Sequence, residues 1–257
     1  AGVILPVVTP LDGWTFAGWS KEMVETETDI EPTTFVRRPG WVYKPAEDIS
    51  LYAVYSKDII VDNKPMTIYN TFPESISVIV GTEQYSSLYY SDKNLVVPEG
   101  LEAITASVTS DNNIVQKVSY KSGMVIPKGE AVVLHATKTL MGETSFPFAV
   151  TMIETEHVSD NLLIGTDTEK MIPTDNILIC NPIYITMGMA KYAGVDYYIN
   201  GAHKAYLAVP YAAAKAPAYA PRLFADGTTS INSTVNDTEN SGVIYNHMGN
   251  RVNSNYR

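Results

Sequence analysis

Ser75-Ile76-Ser77-Val78-Ile79-Val80 alternates polar and apolar residues until Gly81 stops the run. A period of two is that of a strand with one face buried. The same texture recurs outward from it in both directions. Ile114-Val115-Gln116-Lys117-Val118-Ser119-Tyr120 follows the turn former Ser110-Asp111-Asn112-Asn113. Glu130-Ala131-Val132-Val133-Leu134-His135-Ala136 and the run from Phe146 to Ile153 are further strands, as are Asn176 to Cys180 and Val195 to Ile199. Short β-branched and aromatic runs, broken by Gly, Pro, Asn and Asp, predict an all-β chain whose larger part is an antiparallel β-sandwich-like domain. Helical periodicity is nearly absent. Single turns are expected at Met187–Tyr192 and Tyr211–Lys215, the second started by Pro210.

Composition narrows the partners. The 257 residues are 45% hydrophobic, enough for a packed core. Eighteen Lys and Arg against 28 Asp and Glu leave a formal charge of -10, which opposes electrostatic binding of nucleic acid or an anionic membrane. Apolar runs such as Ile177–Cys180 fall far short of the roughly 18 residues of a membrane span, so no transmembrane segment is expected. The single cysteine, Cys180, excludes an internal disulfide framework and a cysteine-rich metal site. Ala1-Gly2-Val3-Ile4-Leu5-Pro6 has neither Met nor a basic, then apolar, leader, and reads as a mature or excised chain whose export signal lies outside it.

The chain changes texture along its length. Residues 1–57 hold all three tryptophans, Trp14, Trp19 and Trp41. Residues 58–70 read as a polar, strand-like connector, and 71–225 as a larger β-rich domain. Residues 226–257 are loaded with Asn, Ser, Thr and Gly and read as a polar tail.

Asp12-Gly13-Trp14-Thr15-Phe16-Ala17-Gly18-Trp19-Ser20 is the most specific string, and Ala46 to Tyr55, ending Ser50-Leu51-Tyr52-Ala53-Val54-Tyr55, follows it. Together they resemble the Listeria–Bacteroides repeat of bacterial surface proteins, with Ser50 where Thr is commoner and Trp14 where Tyr is. The resemblance implies a small β-grasp-like module of a secreted or surface-anchored protein. Its defining residues here are Gly13, Phe16, Gly18, Trp19, Leu51 and Tyr52, and Phe16, Trp19, Leu51, Tyr52 and Tyr55 are expected to supply most of its core. Further along, Ser86 to Lys93, Val97 to Ala103, Ile126 to Leu134, Asn161 to Thr166 and Ala202 to Leu207 are together similar to an uncharacterised C-terminal region of Bacteroides surface proteins. Ser241 to Val252 looks like the start of the segment that closes such chains. These resemblances imply an extracellular or cell-surface location and carry no catalytic residues with them.

No phosphate-binding loop, dinucleotide fingerprint, zinc-protease helix or serine-nucleophile elbow is present. His135, His157, His203 and His247 are scattered singly, without ligand spacing, and Cys180 lies in an apolar run with no basic neighbour to form a thiolate. Asp111, Asp160, Asp167 and Asp175 sit in turns without the register of a calcium loop. No catalytic residue, metal site or cofactor is therefore expected. Glu154 and Glu156 share one face of an expected strand, which is either a solvated acidic surface or the carboxylate pair of a glycoside hydrolase.

Seventeen tyrosines remain, with pairs at Tyr89-Tyr90 and Tyr197-Tyr198 and a spaced set at Tyr206, Tyr211 and Tyr219. Neighbours on a strand point to opposite faces, so one of each pair is expected outward. Tyr89, Tyr90, Tyr197 and Tyr198 are thus the candidate ligand contacts, for a glycan or a host or surface protein, although tyrosine is also simply a favoured sheet residue. The expected function is a non-enzymatic interaction or spacer module of a larger bacterial surface protein. A carbohydrate-binding module using exposed tyrosines is the alternative.

Overall fold

A computed structural model describes residues 2–8, 10–37, 40, 42–108, 114–173, 177–180 and 197–210, with the short pieces 222–223, 244–245 and 251–252. The expected turns at 187–192 and 211–215 lie outside them, as do Asp111, Asp175, Tyr211, Tyr219 and His247. Strands in chain order are β1 (Val3–Ile4), β2 (Thr15–Ser20), β3 (Phe35–Arg37), β4 (Val42–Tyr43), β5 (Tyr52–Val61), β6 (Lys64–Asn70) and β7 (Ser75–Val80). There follow β8 (Tyr85–Leu88), β9 (Asn94–Val96), β10 (Leu101–Val108), β11 (Ile114–Tyr120), β12 (Val125–Ile126), β13 (Val132–Ala136) and β14 (Thr144–Thr151). The remainder are β15 (Leu163–Thr166), β16 (Lys170–Pro173), β17 (Ile177–Cys180), β18 (Tyr197–Asn200), β19 (Lys204–Pro210), β20 (Arg222–Leu223), β21 (Ile244–Tyr245) and β22 (Arg251–Val252). The fold is all-β.

Residues Ala1–Asp226 form one unit, in which sheets are stacked on one another. The centre is the sheet β20-β11-β10-β13-β8. Val132, Leu134 and Ala136 point from β13 to one side, where with Leu101, Leu95, Phe148 and Val80 they form the core against the sheet β12-β9-β14-β7. Ala131 and Val133 point to the other side and pack with Ile104, Leu163, Ala205 and Leu207 against the sheet β15-β19-β17. A strand buried on both faces loses its polar alternation, which is why Val132-Val133-Leu134 reads as a continuous apolar run. A bulge at Ala103/Ile104 in the β10–β11 ladder turns Tyr120 to the first core and leaves Val118 in the second. A ribbon, β16 with β18, covers the outermost layer through Ile172 and Tyr198 on Tyr206.

The first seventy residues join this stack directly. Residues 58–70, expected as a connector, are the far end of β5, a two-residue turn and β6, which pair from Tyr55↔Asn70 to Val61↔Lys64. Asp62 and Asn63 at the turn take φ of 50° and 59°, the left-handed conformations a tight hairpin turn demands and that Asp and Asn tolerate. Ile59 and Ile68, on its two strands, are fully buried with Trp14, Val96, Val125 and Ala149 on the outer side of β9, β12 and β14. The sheet β3-β2-β5-β6 therefore shares its core with the next sheet. Its burial also differs from expectation. Phe16, Trp19, Leu51, Tyr52 and Tyr55 are half-buried, whereas Trp14, Val54, Ile59 and Ile68 are the buried residues. Phe16 stands edge-on to Trp19 and Tyr55, with ring centroids 5.7 and 5.9 Å apart. The Trp19 indole N–H donates to the Pro6 carbonyl (3.1 Å) and that of Trp14 to the Glu74 carbonyl (3.0 Å). Gly13, at φ 83°, closes the turn in which Trp14 N donates to Leu11 O (2.8 Å), and a Cβ there would press on Ser75 Oγ at 3.1 Å.

The second unit, Gly227–Arg257, is described only where β21 pairs antiparallel with β22.

Candidate functional site

The β5–β6 turn, the turn after β12 and an irregular strap from 152 to 162 enclose a recess of about 370 Å³, lined by Asp62, Asn94, Lys128, Glu154, Thr155, Glu156 and His157 among others. Each wall is fixed by bonds leading away from the opening. Asn94 on β9 accepts from Lys128 N (2.8 Å), holding the floor to the Lys128 turn. The Thr155 hydroxyl donates to Val125 O (3.1 Å). At the entry to the strap, Glu27 accepts from the Thr151 hydroxyl (2.6 Å) and the Met152 amide (3.3 Å). Burial raises the pKa of that carboxyl, and the two hydrogen bonds oppose the rise.

The strap is pinned from below by Glu130, a carboxylate only 4% exposed. It accepts from His157 Nδ1 (3.0 Å), Val158 N (3.1 Å) and the Asn161 amide nitrogen. Asn161 also donates to Ala131 O (2.8 Å), and its carbonyl accepts from Ala106 N and Leu163 N (both 3.2 Å). The Tyr120 hydroxyl is pushed well above its ordinary range by burial, then by the Glu130 carboxylate. This network positions His157 at the rim while its own polar groups stay out of the recess.

Glu154 and Glu156 are not on a strand, since β14 ends at Thr151. The ladder stops there because the Met152 amide turns to Glu27. Lys128 Nζ meets Glu154 Oε1 at 2.6 Å, and this bond and charge hold the Glu154 carboxyl below the usual range. A carboxyl so held accepts hydrogen bonds and is poorly suited to protonating a leaving group. The recess therefore offers acceptors at Asp62, Glu154 and Glu156 beside donors at Lys128 and His157, a mixture of polar groups suited to hydrogen bonding from several sides.

The expected tyrosine contacts lie elsewhere. Tyr89 packs on Gly165 and the second core. Tyr90 stacks on the His203 ring, centroids 4.0 Å apart and planes at 11°, beside a clasp in which Asp167 accepts from Ser91 N (3.0 Å). Hydrogen bonds from Ser91, with the nearby His203, lower the Asp167 pKa. Tyr198 tilts against Tyr206 at 6.1 Å, and Tyr197 is 50% exposed on the opposite face of the ribbon. Three of the four rings are thus taken up by packing. Among the described residues, no group of three or more His, Cys, Asp or Glu is placed to hold a metal ion. Among the described residues there is no helix long and apolar enough to cross a membrane.

Asp62, Lys128 and Glu130 were not singled out as site residues by the sequence reading, and His157 was noted there only as one of four scattered histidines without ligand spacing. Glu130 carried a signal, a carboxylate heading the apolar run Ala131–Leu134. The others had none, because they converge only through the stacking of sheets.

Gly165 gives a sharp packing test. A Cβ there would stand 2.0 Å from Tyr89 Cγ, so Gly165→Ala is expected to destabilise the chain by about 1–3 kcal/mol in a denaturant melt. Adding Tyr89→Ala relieves the clash, and the double variant is expected to lose less than the sum of the two single losses.

Comparison with family models, characterised proteins and solved structures returns no match for this chain.

Proposed function

We propose that the chain is a non-enzymatic interaction module of a larger bacterial cell-surface or secreted protein. The observation that supports this reading is the convergence of the two most specific strings on one strand pair. Phe16 lies opposite Tyr55 and Trp19 opposite Ala53 in the β2–β5 ladder, with Gly13 making the turn before it. Residues that resemble the surface-protein repeat are therefore neighbours in space as well as in pattern. The acidic charge of -10 disfavours polyanionic partners.

Carbohydrate binding is the second reading, favoured by the mixed donors and acceptors of the recess and not by the tyrosines. The expected ligand is a neutral oligosaccharide. The test is an array of neutral glycans probed with the intact chain, followed by titration of the retained sugar. Binding is expected to fall about tenfold or more with Glu156→Ala or Lys128→Ala while the thermal melt is unchanged, and to vary little between low and moderate salt. Retention that ignores both substitutions would remove the recess from the reading. Release of sugar from the array compounds, abolished by Glu154→Gln, would overturn the non-enzymatic proposal itself.

A further inference from the structure

Several sheet edges in the first unit are covered by other backbone of the chain, and β7 differs from them. The edge of β6 begins with Lys64-Pro65 and is bridged by Thr28, which exchanges two backbone bonds with Tyr69 (3.2 and 2.8 Å). At β12, the adjoining Gly123 carbonyl accepts from Ile60 N (2.7 Å), tying that edge to β5. Beyond β8, Tyr89 N donates to His203 O (3.1 Å), and Lys204 reaches the Ser86 hydroxyl (3.2 Å). Among the described residues, the free side of β7 has no such cover.

The direction of its backbone groups follows from the ladder with β14. Val150 N donates to Glu74 O at 2.9 Å, so Glu74–Val150 is a hydrogen-bonded pair. The alternation then turns Ile76, Val78 and Val80 toward β14, and leaves the N–H and C=O of Ser75, Ser77 and Ile79 pointing away. Pro147 lies opposite Ser77, a position where no N–H toward β7 is required, in keeping with the same parity. Ser77 is exposed and Ile79 is 57% exposed. Edge strands are ordinarily guarded by a lysine, a proline or a bulge, and Ser75–Val80 contains neither a charge nor a proline. Outward N–H and C=O groups at two-residue spacing match the backbone of another extended polypeptide.

We propose that β7 is a pairing edge for a second copy of this chain, forming a two-fold antiparallel β7–β7 ladder centred on Ser77. In that register Ser77 faces Ser77 of the second copy, and Ser75 faces Ile79, using only outward-turned groups. The outward groups of Ser75, Ser77 and Ile79 match one another in this register, and the strand carries no charge that would repel its own copy. Glu74, which precedes it, falls opposite Val80 of the second copy, so the flanking acids do not meet despite the negative charge of each chain.

Sedimentation of the intact chain over a concentration series tests this. The mass is expected to rise toward twice 28.2 kDa, and the Ser77 and Ile79 amides to gain protection from hydrogen exchange as it does. Ile79→Lys and Ser77→Pro are each expected to weaken association by roughly tenfold or more, with far-UV circular dichroism unchanged. A mass that stays at one chain at the highest soluble loading overturns the proposal. So does a dimer in which both variants pair as wild type, or one in which those two amides stay unprotected. A monomer that takes up a synthetic Ser75–Val80 peptide without pairing with its own kind overturns it too, in favour of a foreign strand.

Discussion

Replacing Glu130 by Ala is expected to lower the stability of the chain by about 2–5 kcal/mol, because it leaves buried hydrogen-bond donors without their shared acceptor. The carboxylate is 4% exposed and is the shared acceptor for His157 Nδ1, Val158 N and the Asn161 amide. Without it the Val158 and Asn161 donors face a cavity with no replacement acceptor, and each buried donor left unpaired costs roughly 1–3 kcal/mol. For a unit of this size, the melting temperature should fall by roughly 10 °C. The conservative Glu130→Gln keeps the shape and one acceptor oxygen, and should recover a good part of the loss. A thermal melt of the three proteins measures both. If Glu130→Ala melts within a degree or so of the parent, the strap is held by something other than this carboxylate.

Trp14→Ala is expected to cost a similar amount, about 3–5 kcal/mol, the usual range for emptying a buried tryptophan site. Trp14 is 4% exposed and lies among Ile59, Ile68, Val96, Val125 and Ala149, which belong to two different sheets. Its indole N–H also bonds the Glu74 carbonyl just before β7. Trp19→Ala should cost clearly less, because Trp19 is half-buried and its indole is tied only to the Pro6 carbonyl. Denaturant titration followed by circular dichroism gives the ranking. A larger loss for Trp19 than for Trp14 would mean that the half-buried face of β2, and not the shared core, carries the stability of this region.

The ranking of those two tryptophans marks where sequence reading stops. Ser75–Val80 could be read because one face is buried and the other is not, so the pleat is printed in the residues. Val132–Leu134 could be read as a strand from its β-branched content, but nothing in it says that both faces are covered. Residues 58–70 were read as a strand-like connector, the strand character being legible, because Asp58, Asp62, Asn63 and Lys64 suggest solvent. In a hairpin those residues sit at the turn and on the outward pleat while Ile59 and Ile68 face inward. The recess was hidden for a different reason. Asp62, Lys128 and Glu154 are far apart along the chain, and only the superposition of layers brings them to one opening. Glu154 and Glu156 were noticed as a pair, whereas the feature that governs Glu154 is Lys128, which no local pattern could reveal.

The order of strands within the sheets has a consequence for how the chain is made. β9 lies between β12 and β14, and β13 between β8 and β10, so few strands complete their pairing with a neighbour just synthesised. The first sheet can form its own hairpins early, but Trp14 finds Val125 and Ala149 only after β12 and β14 have left the ribosome. Until then its apolar side is uncovered, and so is β7, which waits for the same β14. Topologies dominated by such distant pairings fold slowly, in roughly milliseconds to seconds for small all-β domains. The nascent chain therefore passes through an interval in which a sticky, uncharged strand is available to bystanders, and a holding chaperone would find its target in the segment between β7 and β14.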